Sequence, residues 1–156
     1  MTKIALSTPS PITEEHNLAS FDCGVPSLNR WLQKCAFKND HSGTSRTYVI
    51  GNNQTVIGYY CLATGAIGHT EAKAFGRNRP DPIPVLVLSR LAIHKGYHNQ
   101  GIGRALLRDA VLRSLQASQI AGVSALLVHV LSETDRRFYL SNGLLESPIS
   151  SRILYL

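Results

Sequence analysis

The sequence predicts an α/β domain of the α+β kind, with a single central mixed sheet flanked by helices. Three observations lead there: two strand-like runs split by a turn at residues 51–54, a nearly continuous apolar run that feeds a glycine-opened helix, and a further strand–helix pair from residue 125 onward. The 156 residues suit one domain, since domains most often hold roughly 100–150 residues. Positions 1–156 are therefore expected to form a single domain.

Each element follows from a local pattern. Leu28, Trp31, Leu32, Cys35 and Ala36 recur at helical spacing, with Pro26 in the first turn and Asn39 to Gly43 ending the run. Arg46 to Ile50 and Val56 to Thr64 read as strands, and Gly51-Asn52-Asn53-Gln54 joins them as a hairpin. Pro80, Pro82 and Pro84 place a loop over residues 65–84. Val85 to Ile93 is a nearly unbroken apolar strand, as expected of one covered on both faces. Gly101-Ile102-Gly103 opens a helix whose apolar side is expected to hold Ala105, Leu106, Leu107, Ala110, Val111 and Leu115. Ala125 to Leu131 is another strand. Ser132 to Asp135 then starts a capped helix that passes Phe138-Tyr139 and stops at Asn142-Gly143. Arg152 to Leu156 reads as a short last strand.

Composition narrows the class. At 44% hydrophobic and 17% charged, the chain can bury a core and is not of the disordered type. Cys23, Cys35 and Cys61 make no Cys-x-x-Cys pair, and their odd number fits a reducing, cytoplasmic compartment with structural thiols. Residues 1–16 lack the apolar stretch of a signal peptide. No run nears the roughly 20 apolar residues that span a bilayer, so no membrane association is expected. Sixteen Lys and Arg against ten Asp and Glu leave a formal +6, which points weakly to a polyanionic partner.

The chemistry concentrates between Leu88 and Leu107. A buried strand ends, a short loop follows, and Gly101-Ile102-Gly103 starts a helix. The N–H groups of such a turn converge on phosphate oxygens, and the helix dipole adds to the attraction. Glycines let the backbone approach the anion, and Arg104 adds a cation. A dinucleotide fingerprint would need glycine where Leu106 stands, and no Gly-Lys-Ser/Thr of a Walker loop occurs.

This block resembles the acetyl-CoA signature of the GNAT N-acetyltransferase superfamily, Arg/Gln-x-x-Gly-x-Gly/Ala. The resemblance implies a GNAT fold in which the backbone of Leu91, Ala92 and Ile93 pairs with the pantetheine arm. His98, Asn99, Gln100, Gly101, Ile102, Gly103 and Arg104 would hold the pyrophosphate, and Ser132 is expected in the same cofactor set. One position departs from the pattern: the first motif residue is His98 rather than Arg or Gln. Phosphate binding is expected to be weakened by this, not lost. Phe138-Tyr139 with Asn142-Gly143-Leu144 is similar to the family's Phe-Tyr-x-x-x-Gly-Phe helix, which casts Tyr139 as the acid that protonates the departing thiolate. A phenol with pKa near 10 stays protonated at neutral pH.

The strand from Val85 to His94 carries no Asp or Glu. A lysine acceptor, with pKa near 10.4, needs a base, whereas an α-amine near 7.8 is substantially neutral. An α-amine acceptor is therefore favoured. Glu133 is a possible base, though its place beside Ser132 favours a capping role.

Phe21-Asp22-Cys23-Gly24 followed by Ser27-Leu28-Asn29-Arg30-Trp31-Leu32 narrows the resemblance to the GNAT toxins of bacterial toxin–antitoxin modules. Arg46-Thr47-Tyr48-Val49, Gly58-Tyr59-Tyr60 and Leu88-Ser89-Arg90-Leu91-Ala92-Ile93 match the same toxins. The resemblance implies acetylation of the α-amine of aminoacyl-tRNA, a neutralising antitoxin with a ribbon-helix-helix end, and a homodimer. Arg46, Arg77, Arg79 and Arg90 are the expected tRNA ligands, with the pair Arg136-Arg137 as further candidates. Trp31 and Tyr59 are expected in the core rather than stacked on a base. His94 and His98 flank Gly96 with no third ligand nearby, so no metal is expected. Two other readings stand beside this one: a GNAT enzyme for a small amine or protein N-terminus, and a degenerate fold that binds CoA without catalysis.

Overall fold

The computed structural model describes residues 6–67, 82–147, 150 and 152–156. In chain order these form β1 (Ser10–Pro11), α1 (Pro26–Trp31), a π-helical turn (Leu32–Ala36), α2 (Phe37–His41), β2 (Arg46–Asn52) and β3 (Thr55–Ile67). β4 (Ile83–Ile93), a 3₁₀ turn (Lys95–Tyr97), α3 (Ile102–Ile120), β5 (Ala125–His129), α4 (Glu133–Ser141), β6 (Leu145–Glu146) and β7 (Ile153–Tyr155) complete the chain. The strands make one seven-stranded sheet in the order β1-β2-β3-β4-β5-β7-β6. It is mixed, as expected, because β4 and β5 run parallel while β2–β3 and β5–β7 are antiparallel.

The chain forms two compact units: residues 1–62 with 90–110, and residues 63–89 with 111–156. In the first, the β2–β3 hairpin turns on Asn53 and Gln54, and Asn53 takes a left-handed φ of 56°. Its core gathers Ile12, Phe21, Leu32, Ala36, Val49, Val56, Tyr59 and Ala92. Gly58 permits a close approach. A Cβ there would lie 3.0 Å from the side chains of both Ile50 and Ile93 and 3.1 Å from that of Leu106. The end of β4 and the start of α3 can therefore pack tightly against β3. In the second unit, Ile67, Ile83, Val85, Ala125 and Leu127 form the core, with Val85 to Leu88 registered on Ala125 to Val128.

Several sequence expectations shift. The proposed loop over 65–84 is shortened at both ends, since β3 continues to Ile67 and β4 begins at Ile83. Pro84 fits inside a strand because it needs only its carbonyl, which accepts from the Ser124 N–H at 2.8 Å. Pro80 lies outside the described residues. β5 stops at His129, and Leu131 is exposed. On α3 the buried positions are Ile102, Leu106, Leu107, Ala110 and Ser114. Ala105 is exposed, and Leu115 is 58% exposed, because both turn away from the face that Ile102, Leu106, Ala110 and Ser114 mark and that Leu107 adjoins.

Candidate active site

In the first unit, β4 delivers Leu91, Ala92 and Ile93 to the loop that precedes α3. Ala92 is buried, while Leu91 and Ile93 are half-exposed. The His94 N–H donates to the Ile57 carbonyl at 2.7 Å. Beyond it the chain folds over itself: Gly96 N–H donates to His94 Nδ1 at 3.0 Å, and Tyr97 N–H to the His94 carbonyl at 2.9 Å. His98 Nε2 lies 2.7 Å from the Ile93 carbonyl. The histidine that replaces the usual cation thus fastens the loop to the end of β4. His94 and His98 both have tasks that need no metal.

The loop then takes the geometry that an anion site requires. Asn99 has φ 62° and Gly101 φ 79°, left-handed conformations that turn successive N–H groups toward one side. The space where a Gly101 Cβ would project is open within 4 Å. The Gly101 carbonyl accepts from the Ala105 N–H at 3.1 Å, so the first turn of α3 starts there. The N–H groups of Ile102, Gly103 and Arg104 have no partner within the helix. Asn99, Gln100, Gly101 and Arg104 are exposed. Such a set of unpaired N–H groups, left-handed turns and one cation fits the pyrophosphate of acetyl-CoA.

In the second unit, α4 places Tyr139. Ser132 caps the helix, its Oγ accepting from the Asp135 N–H at 3.1 Å. Glu133 does not cap it; its carboxylate sits near Arg136 and Arg137, at 3.9 and 3.8 Å. Tyr139 is 7% exposed and packs edge-on against Phe138, with ring centroids 5.1 Å apart. Its carbonyl accepts from the N–H groups of Asn142 and Leu144 at 3.1 Å each, which anchors the helix end. Its hydroxyl makes no hydrogen bond to any described residue. Burial, reinforced by the charge of Asp135, pushes its pKa up. The phenol therefore holds its proton throughout the neutral range.

Residues 43–143 match the family model described as an acetyltransferase (GNAT) domain. The chain belongs to the GNAT acetyltransferase family. It is 42% identical over 134 residues to the tRNA-acetylating toxin of Mycobacterium tuberculosis (strain ATCC 25618 / H37Rv), covering 85% of this chain and 81% of that one. Its fold is similar to that of AtaT complexed with acetyl-methionyl-tRNAfMet, with TM-score 0.89 and 27% identity over 97% of this chain and 94% of that one. It is also similar to a tyrosine-to-phenylalanine mutant of AtaT bound to the C-terminus of the antitoxin AtaR and acetyl-CoA. There the TM-score is 0.82 and the identity 27%, over 97% and 92% of the two chains. The chain is thus an acetyltransferase, and acetyl-CoA is the co-substrate of this GNAT domain.

The other expected residues of this GNAT chain separate. Arg46 pairs with Asp40, Nη1 to Oδ1 at 3.3 Å, while the second Asp40 oxygen accepts from the Thr47 N–H at 3.0 Å. Arg90 lies over the Trp31 ring, 4.2 Å from its centroid. Arg77 and Arg79 fall outside the described residues. Arg136 is held by Glu146 at 2.6 Å as well as by Glu133. Tyr59 is fully buried, its hydroxyl donating to the Leu28 carbonyl at 2.8 Å, and Trp31 stacks on it. Tyr59 is a core residue, as expected, and Trp31 packs half-buried against the same cluster.

Sequence reasoning overlooked Asp22 as a tie. Its carboxylate accepts from the Gly24 N–H at 2.9 Å and from Asn29 Nδ2 at 3.1 Å, and pairs with Lys95 Nζ at 3.1 Å. The Gly24 N–H, then Lys95 and Asn29, lower its pKa to about 2. The Asp-x-Gly of residues 22–24 was the available signal, because Asp commonly accepts from the N–H two residues on.

Proposed function

We propose that this chain is a toxin that transfers acetyl from acetyl-CoA to the α-amine of aminoacyl-tRNA and so blocks translation. The observation that carries the reading is the 42% identity to a tRNA-acetylating toxin across 85% of the chain. A cognate antitoxin with a ribbon-helix-helix end neutralises it, and the working form is a cytoplasmic homodimer. Each of the two compact units is assembled from separate stretches of sequence, which supports treating 1–156 as one acetyltransferase domain.

Leu91, Ala92 and Ile93 line the pantetheine arm in this reading, and His98 to Arg104 hold the pyrophosphate. Ser132 contributes its free hydroxyl proton, since its oxygen already caps α4. β4 offers no carboxylate between Ile83 and Ile93, so no base from that strand takes a proton from the acceptor. An α-amine with pKa near 7.8 is partly neutral at physiological pH, and an ester-linked one is less basic still. The neutral nitrogen attacks the thioester carbon, the carbon–sulfur bond breaks, and the sulfur takes a proton from the Tyr139 hydroxyl; the proton that the nitrogen sheds as the amide forms returns through solvent to the phenolate. Arg46, Arg77, Arg79 and Arg90 remain tRNA ligands in this proposal, although Asp40 and Trp31 already hold two of them.

Purified enzyme should transfer radiolabelled acetyl to charged total tRNA and leave deacylated tRNA unlabelled. Turnover should fall steeply with salt, because RNA phosphates supply the affinity. Labelling of free amines or protein N-termini, with charged tRNA untouched, would overturn the toxin reading and leave a general acetyltransferase.

A further inference from the structure

We propose that Arg30, Lys34 and Lys38 form a phosphate-binding row that docks the body of the charged tRNA. The inference rests on the toxin reading and names the surface that serves it. The three side chains follow one another at four-residue spacing along α1, the π turn and α2, and all three are exposed. In an unbroken α-helix, positions four apart drift sideways by about 40° at each step. The π turn over Leu32–Ala36 winds less per residue, because its hydrogen bonds reach five residues on. It therefore draws the three cations toward one line. Leu32 and Ala36, on the opposite side, are buried.

The row is unusual in its charge. A solvated helix face normally interleaves both signs, and like charges four apart destabilise a helix. From residue 26 to residue 41 the single carboxylate is Asp40, and it is committed to Arg46 and the Thr47 N–H. Among the described residues no carboxylate pairs with Arg30, Lys34 or Lys38. Lys95, Arg46, Arg136 and Arg137, by contrast, all have acidic partners. Three adjacent unpaired cations are thus kept at some cost to the helix. A polyanion with regularly spaced charges is the ligand that would use them.

The helix is also fixed relative to the cofactor loop. Asn29 reaches Asp22, Asp22 holds Lys95 through both its side chain and its carbonyl, and Trp31 lies under Arg90 of β4. A phosphate strand seated on the row would be held in register with the loop that receives acetyl-CoA.

The test is the triple variant Arg30→Gln, Lys34→Gln, Lys38→Gln, measured by anisotropy of labelled tRNA and by acetylation kinetics. Exposed Gln at these positions should leave circular dichroism and acetyl-CoA calorimetry unchanged. For charged tRNA, KM should rise roughly 10- to 100-fold with kcat preserved. The slope of log affinity against log salt should shrink by about 2–3, close to one for each lost phosphate contact. An aminoacyl ester of adenosine, which lacks the tRNA body, should be acetylated equally by both proteins. Unchanged tRNA affinity and salt slope in the triple variant would overturn the row. So would loss of antitoxin neutralisation alone, which would assign the row to the protein partner. If wild type binds tRNA through the row but never acetylates it, the toxin reading fails and the row stands.

Discussion

In the proposed site, the stretch between Ile93 and Arg104 offers its ligand mainly main-chain N–H groups, whereas α4 offers one side-chain hydroxyl on Tyr139. The first region depends little on its side chains: with His98 at the first motif position, Asn99 and Gly101 take left-handed turns that present the backbone N–H groups. The second has no such redundancy, because no neighbouring described group shares a hydrogen bond with that hydroxyl. A site built from backbone is sensitive to conformation and charge. One built from a single proton donor is sensitive to one atom.

Tyr139→Phe tests the sharper side of this contrast and should have the largest effect. It removes one oxygen from a buried ring, so the fold and acetyl-CoA affinity should hold while turnover drops by about 10²–10⁴. Stopped-assay kinetics beside calorimetry would show this, and full activity would reduce Tyr139 to packing. Because burial raises its pKa, wild-type turnover should show no loss from tyrosine ionisation between about pH 7 and 10.

The backbone side breaks differently. Gly103→Glu places a carboxylate in the first turn of α3, against the pyrophosphate. Two like charges about 4 Å apart repel by about 4 kcal/mol at intermediate dielectric, roughly a thousandfold in affinity. Calorimetry should register that loss with circular dichroism unchanged, and retained binding would move the phosphate site elsewhere.

His98 sharpens the comparison from inside the loop. On sequence alone, His98→Arg restores the missing cation and should tighten acetyl-CoA binding. In the structure the same change removes the bond to the Ile93 carbonyl, worth about 1 kcal/mol, so gain and loss should nearly cancel. His98→Ala should only lose, weakening binding about fivefold. If His98→Arg tightened binding tenfold or more, the bond to Ile93 would be shown to contribute nothing.

The smallest effect belongs to Asp22. Its folded pKa of about 2 lies below its ordinary value of 3.8, so its stabilising contribution is complete above about pH 4 and fades as pH falls toward 2. Melting curves of wild type and Asp22→Asn should differ at pH 6 and converge near pH 2. A constant gap across that range would mean the carboxylate charge is not what ties the loop.

Much of this was legible in the primary structure. Gly101 and Gly103 after an apolar strand announced the turn between β4 and α3, and Ser132 with Asn142-Gly143 bounded α4 closely, because turn and cap chemistry is local. The short edges β1 and β6, two residues each, left no such trace, since a pair of residues becomes a strand only through its partner.

By itself, the sequence determined the strand–loop–helix proposed to bind acetyl-CoA and the tyrosine that can donate a proton, because glycine backbone freedom and phenol acidity belong to the residues themselves. Tertiary structure alone decided which charges are paired. Arg46 and Lys95 were equal to Arg30 and Lys34 as letters. Folding brought Asp40 and Asp22 to the first two and left the others facing solvent, since ion pairing depends on distances that only the packed chain sets.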